Sequence, residues 1–346
     1  MVESKEVHLA NRPKGLPRQE DFSIVTKQLP EPGDGEMLVR NIWMSVDPYM
    51  RGRMRAGKSY VAPFEVGQVL DGGAVGEVVK SNLDGYEPGD MVRSMNGWRE
   101  FFVTDGQGLT KLPPTGAPSE LYLGLLGMPG LTAYFGLFEV GALKDGETVF
   151  VSGAAGAVGS VVCQLAKIKG CTVIASCGSA DKAKWVEQDI GADVVINYRS
   201  CDNLTEALAA AAPAGIDVYF DNVGGEHLEA ALMNMRNRGR IVECGMIADY
   251  NATGALEGTQ NLIQVIVRQL RMEGFIVGQF EEHYPAAMKQ MMAWYHDGQL
   301  NARSTILEGI ETAPQAMIGL FEGLNTGKML VNLCAHEHVG IEVEVI

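Results

Sequence analysis

Five short runs rich in β-branched residues begin at Thr148, Cys171, Asp193, Ile216 and Arg240, spaced 23, 22, 23 and 24 residues apart. Helical patterns fill the gaps, over 158–169, 181–190 and 203–212. Strand and helix alternating at that period are the signature of βαβ units, which wind right-handedly into a parallel sheet covered on both faces. No side-chain motif repeats with the period, so the pattern is supersecondary and not a solenoid. Gly274-Phe275-Ile276-Val277-Gly278 is a candidate sixth strand. Helices are expected over 283–296 and 312–323, and a strand over 329–333 that folds back onto the N-terminal part.

The first ~125 residues have another texture. Short β-like runs (Met37–Arg40, Gly76–Val79, Met91–Arg93) are separated by turn signals such as Glu31-Pro32-Gly33-Asp34-Gly35 and Glu87-Pro88-Gly89-Asp90. No long helix is expected before Leu121. Such spacing predicts a compact, largely antiparallel, barrel-like unit. The 346 residues suffice for two such domains.

With 28 Lys+Arg against 43 Asp+Glu the net charge is −15. That balance argues against nucleic acid or an anionic membrane as partner. No stretch is long and apolar enough for a membrane span, and Met1 to Arg12 lacks a signal-peptide core. The six cysteines form no compact framework and read as reduced thiols, which predicts a cytoplasmic protein.

Any phosphate must therefore be held by local dipoles and a few placed cations. Val149-Phe150-Val151-Ser152-Gly153-Ala154-Ala155-Gly156-Ala157-Val158-Gly159 reads as strand, G-x-x-G-x-x-G turn, then helix. Small residues let the backbone approach a pyrophosphate, and the helix N-terminus offers N–H groups and a positive dipole end. The alternative, a Gly-rich turn that is only structural, lacks a reason for the βα units that follow.

An NAD site places Asp or Glu about 20 residues past the glycines. Here the second strand ends in Ser176-Cys177-Gly178-Ser179, with no carboxylate. That favours NADPH: Lys182 is a cation within reach of a 2′-phosphate and Tyr198 a hydroxyl donor. The competing reading makes Lys182 and Lys184 solvated helix charges. Asn222 after the fourth run, and Glu243-Cys244-Gly245-Met246 after the fifth, stand at strand ends where open α/β sheets bind ligands. Asn222 is a candidate for the ribose or nicotinamide, or else an Asx turn.

All six Cys fall after residue 162, and His8 is the one His in the first 226 residues. A catalytic zinc in the first unit is therefore not expected. Cys334-Ala335-His336-Glu337-His338 is more simply an edge pattern than a metal site. There is no G-x-S-x-G for nucleophilic hydrolysis.

These stretches together resemble the zinc-independent branch of the medium-chain dehydrogenase/reductase superfamily, within it the alkenal double-bond reductases, prostaglandin reductases and NADPH-dependent curcumin reductases. The matching segments are Asp47-Pro48-Tyr49-Met50-Arg51-Gly52-Arg53-Met54, Leu126–Tyr134, Ala154–Gly159, Glu243–Met246 with Asp249-Tyr250-Asn251, Gly274–Val277 and Asn325–Lys328. Ser59-Tyr60 looks most like the bacterial curcumin reductases.

The resemblance implies an α/β subunit: a GroES-like β-barrel catalytic domain (1–125, completed by 301–346) and a doubly wound, parallel-sheet Rossmann domain (126–300). It also implies a homodimer and NADPH. Gly156, Ala157 and Val158 would meet the pyrophosphate, and Gly178, Lys182 and Tyr198 the adenosine phosphate. Asn222, the segment Cys244, Gly245, Met246, Ile247 to Tyr250, then Phe275, Ile276, Val277 and Asn325 would line the ribose and nicotinamide. Tyr49, Tyr60 and Tyr250 would face the substrate in an interdomain cleft, with Trp43 as a further wall. The competing, lesser readings make Phe275–Val277 a core strand and Tyr49 a packed loop aromatic. The expected reaction is hydride transfer to the β-carbon of an α,β-unsaturated ketone or aldehyde, with Tyr250 or Tyr60 donating to the enolate. Quinone reduction and non-catalytic NADPH binding are the rival readings. Arg51, Arg53 and Arg55 carry no assigned role.

Overall fold

A computed structural model describes residues 1–57, 59–256 and 258–334. The chain divides into two compact units. Among the described residues, one comprises 1–123, 304–325 and 329–334, the other 124–303 and 326–328.

In the first unit the strand Met37–Ser45 is the organiser. One edge pairs antiparallel with Ala74–Ser81. Its other edge is shared: Met37–Arg40 pair with Phe101–Thr104, and Trp43–Ser45 pair with the tail strand Lys328–Asn332. A strand split between two partners along one edge is what a curled, barrel-like sheet requires. Leu330 opposite Ser45 establishes the expected return of the tail. Met44, Met50, Met54, Phe64, Leu70 and Trp98 fill the interior together with Ala313, Ala316, Met317 and Leu320 of the helix Ala313–Glu322. The short helix Met50–Arg53 belongs here too.

In the second unit, six parallel strands among the described residues lie in the spatial order Val194–Asn197, Thr172–Cys177, Thr148–Val151, Ile216–Asp221, Met235–Glu243, Arg271–Gly274. Central strands covered on both faces need continuous apolar runs. Accordingly Val149–Val151, Val173–Ala175 and Val218–Phe220 are all fully buried. Phe150 and Tyr219 stack across neighbouring strands at 4.9 Å. Helices Gly159–Ile168, Ala180–Gln188, Leu204–Ala211 and Gly225–Asn234 supply the crossovers. Strand order reverses between Thr148–Val151 and Ile216–Asp221, the switch point where such sheets bind ligands. The fold is thus the expected α/β class.

Two strand limits differ from the sequence reading. The fifth strand starts at Met235, five residues before Arg240; its opening half is polar and irregular, with Arg238 at φ 64° and a register shift against Ile216–Val218. The sixth strand is Arg271–Gly274, not 274–278. As an edge strand it is mostly exposed and needs no apolar run. Phe275 instead turns inward against Phe280, and Val277 starts a 3₁₀ turn. No described helix is long and apolar enough to cross a membrane.

Candidate functional site

At the switch point the first strand ends in Ser152, and the Gly-rich turn follows. Gly159 opens the helix Gly159–Ile168, and a Cβ there would stand 2.4 Å from the Gly153 carbonyl oxygen. Only glycine lets the helix pack so close to the turn. Gly156 and Ala157 form the turn, and Val158 already has helical angles (φ −83°, ψ −52°). The dipole end of the helix therefore faces this turn. Gly327 closes against it: its N–H donates to the Ala155 carbonyl (2.8 Å), and its φ of 72° with the Arg303 carbonyl beside it admits no side chain.

The second and third strands run in register, Cys177 beside Asn197, so the residues after each come together. Ser179 caps the helix Ala180–Gln188 by accepting the Lys182 N–H at 3.3 Å, which fixes Lys182 in the first turn. A Cβ on Gly178 would come within 2.7 Å of the Tyr198 hydroxyl oxygen and 3.3 Å of Arg199 Nε. Gly178 is thus the floor of a small cradle walled by Tyr198 and Arg199. Burial, and the neighbouring Arg199 guanidinium, hold the Lys182 ammonium below the usual lysine range. Two cations repelling each other where no carboxylate closes the strand end make a site suited to an anion of high charge. His227 stacks edge-on against Tyr198 at 4.9 Å, and burial pushes its imidazole down to about 4, so it adds no charge near neutrality.

Beyond the fourth strand, Asp221 is fully buried and accepts from Ser152 Oγ (3.0 Å) and from the N–H groups of Val223 and Gly224 (2.8 Å each). Asn222 is held at both ends, its N–H on Ser152 Oγ (2.9 Å) and its Nδ2 on the Ser152 carbonyl (2.7 Å). The segment after the fifth strand lies along this loop: Cys244 and Gly245 donate to the Asp221 carbonyl (2.9 and 3.0 Å), and Ile247 donates to that of Asn222 (3.3 Å). Met246 covers Gly224. A methyl on Gly245 would meet the Tyr250 hydroxyl oxygen at 3.2 Å, so that phenol lies across Gly245. Burial, then the charges of Asp221 and Glu243, push the Cys244 thiol up to about 12, leaving it neutral. Burial, then Asp221, raise the Glu243 carboxyl to about 7.

Of the remaining predicted residues, Phe275 is buried, Ile276 is 48% exposed and Val277 half-buried. Asn325 lies in the first unit, two residues past Gly323, whose left-handed conformation ends the helix Ala313–Glu322. Tyr49 precedes the helix Met50–Arg53 and is half-buried, and burial with Asp47 raises its phenol above the usual range. Tyr60 belongs to the same unit and is 63% exposed. Trp43 donates to Ser119 Oγ at 3.2 Å. Arg199 and the Ser152–Asp221 pair were not singled out from sequence. Among the described residues no three His, Cys, Asp or Glu side chains come together as a metal ion would need. The proposed edge-pattern residues His336 and His338 lie outside the described residues.

Two family models match, described as the N-terminal domain of oxidoreductase over residues 5–112 and as zinc-binding dehydrogenase over residues 157–295. A putative NADP-dependent oxidoreductase of Bacillus subtilis, YfmJ, is 45% identical over 332 residues, 95% of this chain and 97% of that protein. The NADPH-dependent curcumin reductase of Escherichia coli is 38% identical, with 95% and 96% covered. Among solved structures, CurA from Vibrio vulnificus in complex with NADPH matches with TM-score 0.91 at 38% identity, covering 95% of this chain and 99% of that one. On this likeness over nearly its whole length, the chain belongs to the medium-chain dehydrogenase/reductase superfamily, in the branch of the alkenal, prostaglandin and NADPH-dependent curcumin reductases.

Proposed function

We propose that this chain is an NADPH-dependent reductase of the carbon–carbon double bond of α,β-unsaturated ketones and aldehydes. The observation that carries the cofactor assignment is the cradle at Gly178, where Tyr198, Lys182 and Arg199 gather at a strand end, Ser176-Cys177-Gly178-Ser179, that itself carries no carboxylate. A ribose diol alone would gain little from two cations, whereas a 2′-phosphate gains charge-assisted hydrogen bonds. The Escherichia coli relative is named for reducing curcumin, an enone, and the Vibrio vulnificus structure holds NADPH.

In this reading Gly156, Ala157 and Val158 hold the pyrophosphate, and Asn222, Cys244 to Tyr250, Phe275 to Val277 and Asn325 line the ribose and nicotinamide. When bound, NADPH supplies a hydride to the β-carbon of the conjugated system. The protein's own task is to stabilise the negative charge that builds on the carbonyl oxygen. A phenol does this by donating a hydrogen bond, and it can pass a proton directly or through water. Tyr250, fixed across Gly245, and Tyr60 are the catalytic candidates. Tyr49, kept protonated by burial, is a substrate-binding donor. Conjugation already makes the β-carbon electrophilic, so no metal is required by this chemistry.

We also propose a cytoplasmic homodimer, in line with the six free thiols and with an edge strand, Arg271–Gly274, near exposed Ile263, Ile266 and Val267. Light scattering of the purified chain should give twice the 37.3 kDa subunit mass. For the activity, NADPH oxidation at 340 nm is compared with an enone and a benzoquinone. Faster turnover of the enone supports the proposal; a quinone preference, or no turnover despite NADPH binding, replaces it with one of the two rival readings.

A further inference from the structure

Arg53, the last residue of the short helix Met50–Arg53, is 7% exposed, and each of its side-chain nitrogens is engaged. Nη1 and Nη2 donate to the two carboxylate oxygens of Asp71, the second at 2.7 Å. Nε donates to the Ala62 carbonyl at 2.8 Å. The guanidinium also lies 4.0 Å from the centre of the Phe64 ring, and the Arg53 carbonyl accepts the Phe64 N–H at 2.7 Å. One residue therefore ties the end of the helix to Ala62 and Phe64, on the far side of the loop that carries Tyr60.

Within that loop Arg55, Ala56, Gly57, Ser59 and Tyr60 are exposed. Its base is anchored where Phe64 enters the same core against which Tyr49 packs. Arg53 also shares a side-chain hydrogen bond with Tyr49, so the same guanidinium meets Asp71, the loop's Ala62 and the Tyr49 phenol. A buried guanidinium fork is costly to desolvate, and its benefit is a single defined geometry that a flexible ammonium cannot copy.

We propose that the Arg53–Asp71 pair is a positioning device that holds the Tyr60 loop against Tyr49 and so sets affinity for the enone; this rests on the assignment of both tyrosines to the substrate. In this proposal both residues act through the tyrosines. The test uses Arg53→Lys and the milder Asp71→Asn in the full-length protein, with steady-state kinetics and hydrogen exchange of the 54–64 peptide. We expect the enone KM to rise about tenfold, with kcat within about twofold and the NADPH KM unchanged. Exchange should quicken in that peptide alone. Unchanged exchange there overturns the clamp. Faster exchange without a rise in enone KM, or losses shared equally with NADPH affinity and spread across the protein, overturns the positioning role. If the wild type reduces no enone, the activity assignment falls by itself, and the exchange result alone decides whether Arg53 and Asp71 hold the loop.

Discussion

The side-chain amide of Asn222 donates to the backbone carbonyl of Ser152 at 2.7 Å, tying together the ends of two neighbouring parallel strands at the point where strand order reverses. The buried Asp221 locks the same knot from below through Ser152 Oγ. Asn222→Ala leaves that carbonyl without its partner and frees the loop. It should cost about 1 kcal/mol of stability in urea unfolding and weaken NADPH binding about tenfold by fluorescence titration. Unaltered cofactor affinity would detach Asn222 from the nucleotide.

Lys182→Ala should weaken NADPH about thirtyfold and NADH hardly at all, because only the former presents a 2′-phosphate. Arg199→Ala should act in the same sense, about fivefold. Burial and Arg199 hold the Lys182 ammonium low in the free protein, and a bound phosphate raises it again. The phosphate's advantage is therefore full while Lys182 is charged. It fades as pH climbs into the alkaline range below the ordinary lysine value. Isothermal titration across that range should show NADPH affinity falling and NADH affinity level; parallel pH curves would remove Lys182 from the phosphate.

Tyr250→Phe removes a hydroxyl that lies across Gly245. If that hydroxyl donates to the developing enolate, kcat for an enone falls about a hundredfold while the NADPH dissociation constant stays within about twofold. The matching loss in Tyr60→Phe alone would assign the donor to the loop held by Arg53.

Glu243 lies in register with Asp221, and burial together with that negative charge raises its carboxyl to about 7. A carboxyl raised on folding binds its proton more tightly in the folded state than in the unfolded chain. Stability is thus fully present below the ordinary glutamate range and is lost as pH rises through about 7. Glu243→Gln should match the wild type in Tm at about pH 4 and exceed it at about pH 8. A wild type that is the more stable at pH 8 would contradict this.

The parallel sheet was legible because its central strands are buried on both faces and so carry unbroken apolar runs, Val149–Val151 and Val218–Phe220 among them. Edge and irregular strands lack that mark. Arg271–Gly274 is polar and exposed, and the nearby Phe275-Ile276-Val277 imitates a strand while Phe275 packs into an aromatic cluster. The cradle at Gly178 was half legible. Lys182 and Tyr198 follow from strand-end logic, and Arg199 follows equally once Asn197 is set beside Cys177, since the next residues of adjacent parallel strands must neighbour each other. Asp221 carried no role in the sequence, where its neighbour Asn222 read as a ligand-binding amide or an Asx turn. Its role in holding Asn222 depends on Ser152, 69 residues away, which no local pattern conveys.

Reduction of an enone with NADPH deuterated at the transferable C4 position, followed by NMR of the product, tests the central assignment most directly. The account predicts deuterium at the former β-carbon and a solvent-derived proton at the α-carbon. Deuterium on a carbinol carbon, with the double bond intact, would contradict it.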